Sequence, residues 1–141
     1  MMTGTLFALG ACHLVTAWGL HPAALAGRVA LSAGGLSVMA IAVFPAPSSG
    51  GSLRHGAAAT VAFALMAAWP LLAARRDGYG PWTLRPAWAA AASALMAVVA
   101  AWFLIEINDD GIDGAAERVL TFVQSLWPLV VAVSCRRPLP A

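Results

Sequence analysis

Arg54 and His55 open one apolar run of this 141-residue chain, Glu106 closes another, and Glu117 and Arg118 open a third. Runs folded as neighbouring helices would bring these five side chains to one level, forming a polar pocket of carboxylates, an imidazole and guanidiniums. Guanidinium forks grip carboxylate and phosphate oxygens, so the set suits an anion or a lipid headgroup. An acid beside an imidazole also suits proton transfer. The competing reading is an ordinary wet rim, where Glu106, Glu117 and Arg118 pair for about 0–1 kcal/mol. The residue types alone leave both open.

Glu117, Thr121, Gln124 and Pro128 recur at helical spacing and put a polar stripe on one face. The stripe either lines a cavity beneath the cluster or bonds to neighbouring helices, at about 0.6 kcal/mol per bond. His13 is the one histidine well inside an apolar run, bonded to a neighbouring helix or acting as a ligand or proton relay. Thr121, Gln124 and His13 are therefore the cavity-lining candidates. His21 lies about 12 Å further along a helix, so no histidine pair at one depth supports a haem. Asp109-Asp110-Gly111-Ile112-Asp113-Gly114 resembles the start of a calcium loop, but Gly111 and Leu120 stand where that loop needs acidic ligands. Asp113 fits better as a helix N-cap. Cys12 and Cys135 have no metal-type spacing and read as small buried hydrophobes. No nucleophile elbow, phosphate loop or zinc motif is present. The pattern asks for no cofactor and no metal, and it leans away from an enzyme.

The composition says what must position these groups. The chain is 61% hydrophobic and 10% charged, against about 25% charged in soluble domains, and its mean hydropathy is +0.81. So few charges cannot cover a small soluble globule. A spanning helix needs about 20 apolar residues, and five stretches qualify: 3–20, 24–44, 55–74, 86–107 and 115–134. Turn-forming segments separate them, most clearly Pro45-Ala46-Pro47-Ser48-Ser49-Gly50-Gly51-Ser52. The expected fold is all-α: a polytopic transmembrane helix bundle of five spans, with residues 1–141 as a single transmembrane domain. No basic residue precedes the first stretch, so it reads as a retained span and not a signal peptide.

All eight basic residues are arginines. Five spans place Arg28, Arg75, Arg76, Arg85, Arg136 and Arg137 on one side with Asp77, a balance of +5. Arg54 and Arg118 share the other side with five carboxylates, a balance of −3, and the two give the chain's +2. The positive-inside rule then sets the N-terminus outside and the C-terminus in the cytoplasm of a plasma (inner) membrane. Arg28 reaches the headgroups by snorkelling. Trp18, Trp82 and Trp88 lie near span ends, as an interfacial belt requires. Trp69-Pro70-Leu71 and Trp127-Pro128-Leu129 echo one another, and each proline should kink its helix. The scattered arginines form no basic face, so nucleic acid is not an expected partner.

Gly35-Leu36 through Val43-Phe44-Pro45, Arg54-His55-Gly56-Ala57-Ala58-Ala59, Ala62-Phe63 and Trp69-Pro70 resemble the prokaryotic multi-pass family catalogued as domain of unknown function 998. So does Ala116-Glu117-Arg118-Val119 leading to Leu126-Trp127-Pro128-Leu129. The resemblance covers most of the chain. It implies a further helix before the first stretch, giving six or more, so that the present chain is the family pattern minus its first helix. That helix would put the N-terminus inside and leave every other assignment unchanged. The resemblance also gives weight to His55, Glu117 and Arg118, which match recurring family positions, but it implies no activity.

The reading that results is a non-enzymatic integral membrane protein. Through the outer-face pocket of Arg54, His55, Glu106, Glu117 and Arg118 it binds a lipid, a small amphiphile or a partner helix, a second copy of the chain included. The alternatives are a membrane enzyme acting on an extracytoplasmic lipid-linked substrate, and an oligomeric transporter component.

Overall fold

The computed structural model describes residues 2–45, 52–77, 80–108 and 113–136. The apolar stretches form five helices: α1 (Met2–Gly19), α2 (Leu25–Val43), α3 (Leu53–Ala73), α4 (Pro86–Asn108) and α5 (Asp113–Cys135). A single 3₁₀ turn, Trp82–Leu84, precedes α4. Helices α2, α3, α4 and α5 are each long and apolar enough to cross a membrane. At 1.5 Å per residue their 19 to 22 qualifying residues reach about 30 Å. Helix α1 has 18 residues and carries Thr3, Thr5, His13 and Thr16; it packs along α2 as the fifth member of an all-helical, multi-pass membrane bundle.

Local chemistry sets the helix ends. Ser52 Oγ accepts the His55 amide at 3.3 Å, satisfying one of the orphan donors at the start of α3. Pro86 starts α4 at the one helical position where a missing N–H costs nothing. At the end of α1, Arg28 of α2 donates Nε to the Ala17 carbonyl at 2.8 Å and an Nη to the Trp18 carbonyl at 3.0 Å. Arg28 therefore does more than snorkel: it caps a neighbouring helix at the negative end of its dipole. The stretch from Asp109, with its calcium-like pattern, and the side chain of Asp113 lie outside the described residues and side chains.

Helices approach closely where glycine removes the side chain. A methyl group on Gly10 would stand 2.6 Å from the Gly35 carbonyl oxygen, which fixes the α1–α2 crossing. A methyl on Gly27 would run into the Ala73 backbone and fixes α2 on α3. The Gly27 contact shares one end of the bundle with the main core, which joins Ala17, Leu20, Leu31, Trp69, Leu84 and Val131. That end also carries Arg28, Arg75, Arg76 and Arg85. Thr83 donates to Ser134 Oγ at 2.6 Å, and Ser134 in turn donates to the Val131 carbonyl at 2.7 Å, tying the 3₁₀ turn to α5. Trp82 meets Trp88 and Trp127 edge to face, with centroids 5.1 and 6.4 Å apart. Buried Leu31, Trp69, Leu84 and Val131 close the interior of the arginine-rich half, which keeps grooves beside Arg28 and beside Trp82.

Candidate functional site

The opposite half is open. Helices α1 and α5 meet only weakly, and between them lies a cavity of about 620 Å³ backed by α2 and α3. Among the described residues, helix α4 contributes none to its wall. His55, Glu117 and Arg118 stand at its mouth, on the first turn of α3 and the second turn of α5. Leu6, Leu9, Val38, Ile41, Phe63 and Phe122 make its apolar middle. Thr121 lines the wall, and His13, Gln124 and Met66 form the floor. The volume falls within the range of small-molecule sites, roughly 300–1,000 Å³.

His55 Nδ1 lies 2.9 Å from the Phe44 carbonyl oxygen. A carbonyl only accepts, so Nδ1 carries the hydrogen and the neutral ring keeps its lone pair on Nε2. Glu117 and Arg118 are both exposed at the mouth. The positive ends of the α3 and α5 dipoles also converge there. Helix α3 places Arg54 and His55, with no acidic residue, in its first turn. This is the reverse of the usual dipole complement.

The floor is built differently. His13 is 4% exposed and Gln124 3%. Gln124 Nε2 donates to the Phe63 carbonyl at 3.1 Å, bridging α5 to α3. His13 Nδ1 is buried without a hydrogen-bond partner. Pro70 and Pro128 have no N–H, so the carbonyls of Met66 and Gln124, four residues earlier, lack their usual helical donor. Both of those residues line the cavity.

Of the five clustered residues, the structure brings His55, Glu117 and Arg118 to one cavity, and Thr121, Gln124 and His13 line the same space. It does not bring in Arg54 or Glu106. The Arg54 guanidinium lies over the Phe44 ring, 6.0 Å from its centroid. Glu106 accepts from Trp102 Nε1 at 2.8 Å within α4. Glu106 ends a helix that is separated from the cavity by α3 and α5, and depth along the bundle could not reveal that. The contribution of α1 through Leu6 and Leu9 also had no polar signal in the sequence. Among the described residues, no three His, Cys, Asp or Glu side chains are grouped to share a metal ion.

The chain belongs to the family described as protein of unknown function (DUF998), which matches residues 1–134. No curated protein and no solved structure matches the chain.

Proposed function

We propose that this DUF998 protein binds a lipid or small single-chain amphiphile in the cavity between α1 and α5. One observation carries the reading: a single space has polar groups at its mouth and an apolar wall behind them. The polar head of the ligand lies beside His55, Glu117 and Arg118, and its chain lies against Leu6, Leu9, Phe63 and Phe122. Burying the chain contributes about 0.8 kcal/mol per methylene taken from water. The head carries an acidic or strong acceptor group for Arg118 and the two helix N-termini. The Nε2 lone pair of His55 and the Glu117 carboxylate beside them accept from any O–H or N–H it also bears. The protein sits in a plasma membrane with this mouth toward the outside, in keeping with the arginine-poor charge of that end.

The closed core beneath the floor favours holding over passage. Leu31, Trp69 and Val131 are fully buried there, so a transport path through this conformation has no continuation. The enzyme reading keeps one specific support, the fixed tautomer of His55, which leaves Nε2 as a base at the mouth. An extracytoplasmic lipid-linked substrate would then give a pH–rate profile that His55→Asn abolishes.

The test uses the chain in nanodiscs titrated with dansyl-undecanoate, a fluorescent acidic amphiphile. Saturable binding is expected, and Thr121→Trp, which fills the cavity, should weaken it at least about tenfold. Binding that is unchanged by Thr121→Trp, or no saturable binding, overturns the reading. A native mass spectrum of the nanodisc sample distinguishes a retained lipid from a second copy of the chain or a partner helix.

A further inference from the structure

We infer that the ligand of this cavity carries a second polar group, a hydroxyl partway along its apolar chain, that pairs with His13 on the floor. The inference rests on the amphiphile reading and specifies which amphiphile. His13 is 96% buried on the complement of its 4% exposure, and its Nδ1 has no partner. An imidazole in that state is costly in an apolar bundle, because a buried polar atom without a partner loses its hydration for nothing. Gln124 gives Nε2 to the Phe63 carbonyl, and neither it nor Thr121 or Ser125 of the same lining bonds His13 Nδ1. Met66, Ala62, Val38 and Leu9, also in the lining, are apolar.

A hydroxyl is the group that fits. It donates and accepts, so it satisfies Nδ1 in either tautomer. Met66 and Gln124, whose carbonyls are left without a helical donor by Pro70 and Pro128, belong to the same lining and offer acceptors for the hydroxyl's second bond. A charged group does not fit, because among the described residues no counter-charge lines this depth. The spacing follows from the helices. Glu117 and Gln124 are seven residues apart on α5, about 10 Å along the axis, so the hydroxyl is a mid-chain substituent and not part of the head.

Oleate and ricinoleate make the comparison, since they share the acidic head, the chain length and the double bond and differ by one mid-chain hydroxyl. Each is titrated as a competitor of dansyl-undecanoate on the full chain in nanodiscs. Ricinoleate should compete about fivefold better than oleate, as one additional hydrogen bond predicts. His13→Leu should erase that preference while oleate still competes, and His13→Gln, which keeps a hydrogen-bonding group, should restore part of it. A thermal melt of each variant establishes that the bundle is intact. Equal competition by the two acids on the unsubstituted chain overturns the inference and leaves the amphiphile reading standing. A preference that survives His13→Leu overturns it too. Failure of both acids to compete overturns the amphiphile reading and this inference together.

Discussion

His55 donates through Nδ1 to the Phe44 carbonyl oxygen at 2.9 Å, and so the first turn of α3 is tied to the residue that ends α2. The bond does two things. It anchors two helices across the 46–51 connection, and it fixes which ring nitrogen is free at the cavity mouth. His55→Ala should therefore lower the melting temperature and weaken amphiphile binding together. Removing one such bond costs about 1 kcal/mol. His55→Asn can still donate to the carbonyl, so it should recover the melting temperature without recovering any proton-transfer role. Equal melting temperatures for His55→Ala and the unsubstituted chain would show that the tie contributes nothing.

Much of this architecture was legible because the bilayer imposes it. A chain that must satisfy every backbone group internally has few choices once its apolar stretches are known, and each helix starts and ends within two residues of one of them. The α5 stripe was legible for the same reason. Glu117, Thr121 and Gln124 share a face by helical geometry, whatever they pack against. What surrounds the helices was not legible. Helical period gives each residue a direction, but only packing decides which neighbour lies there. Arg54 and His55 are adjacent in sequence, yet one turns to the Phe44 ring and the other to the cavity. Arg28 sits inside an apolar stretch, and its partners are carbonyls ten and eleven residues away on another helix. Backbone acceptors leave no trace in composition.

The α1–α2 crossing rests on two hydrogens. A methyl on Gly10 meets both the Gly35 carbonyl oxygen and Met39 Cγ at 2.6 Å. Met39 can swing away, but the Gly35 backbone cannot, so Gly10→Ala should force α1 outward. Overpacking of this kind costs about 1–3 kcal/mol. Because His13 and Leu9 ride on α1, amphiphile affinity should fall with stability. Gly56→Ala is the matched control, since open space surrounds Gly56. Thermal melts of the two variants in nanodiscs should differ by several degrees, with Gly56→Ala at or above the unsubstituted value. A melt of Gly10→Ala equal to that of Gly56→Ala would remove the crossing from the list of what holds this bundle.

The two-carbonyl cap provided by Arg28 makes a prediction about residue type. Its fork reaches Ala17 and Trp18 through different nitrogens. A lysine offers one compact ammonium on a flexible stem and cannot reproduce that geometry. Arg28→Lys should keep the charge but lose part of the cap, and Arg28→Leu should lose both. The expected order of melting temperature is arginine, then lysine, then leucine, spanning about 1–2 kcal/mol in all. If lysine matched arginine, snorkelling of a positive charge would account for position 28 without the cap.

Orientation follows from the arginines and has its own measurement. Arg75 and Arg76 lie at the closed end beside Arg85 and Arg28, while the mouth faces the other way. The loop containing Asp109 and Asp110 carries carboxylates and no arginine. Anionic residues contribute little to topology and arginines contribute most, so the closed end should be cytoplasmic. Single cysteines are then placed by Arg76→Cys and Asp110→Cys in a chain whose own Cys12 and Cys135 are changed to alanine. A membrane-impermeant maleimide applied to intact cells should label the cysteine at 110 and reach the one at 76 only after the membrane is opened. The reverse pattern would turn the cavity toward the cytoplasm. The amphiphile would then enter from the inner leaflet, whose anionic lipids bring acidic heads to Arg118.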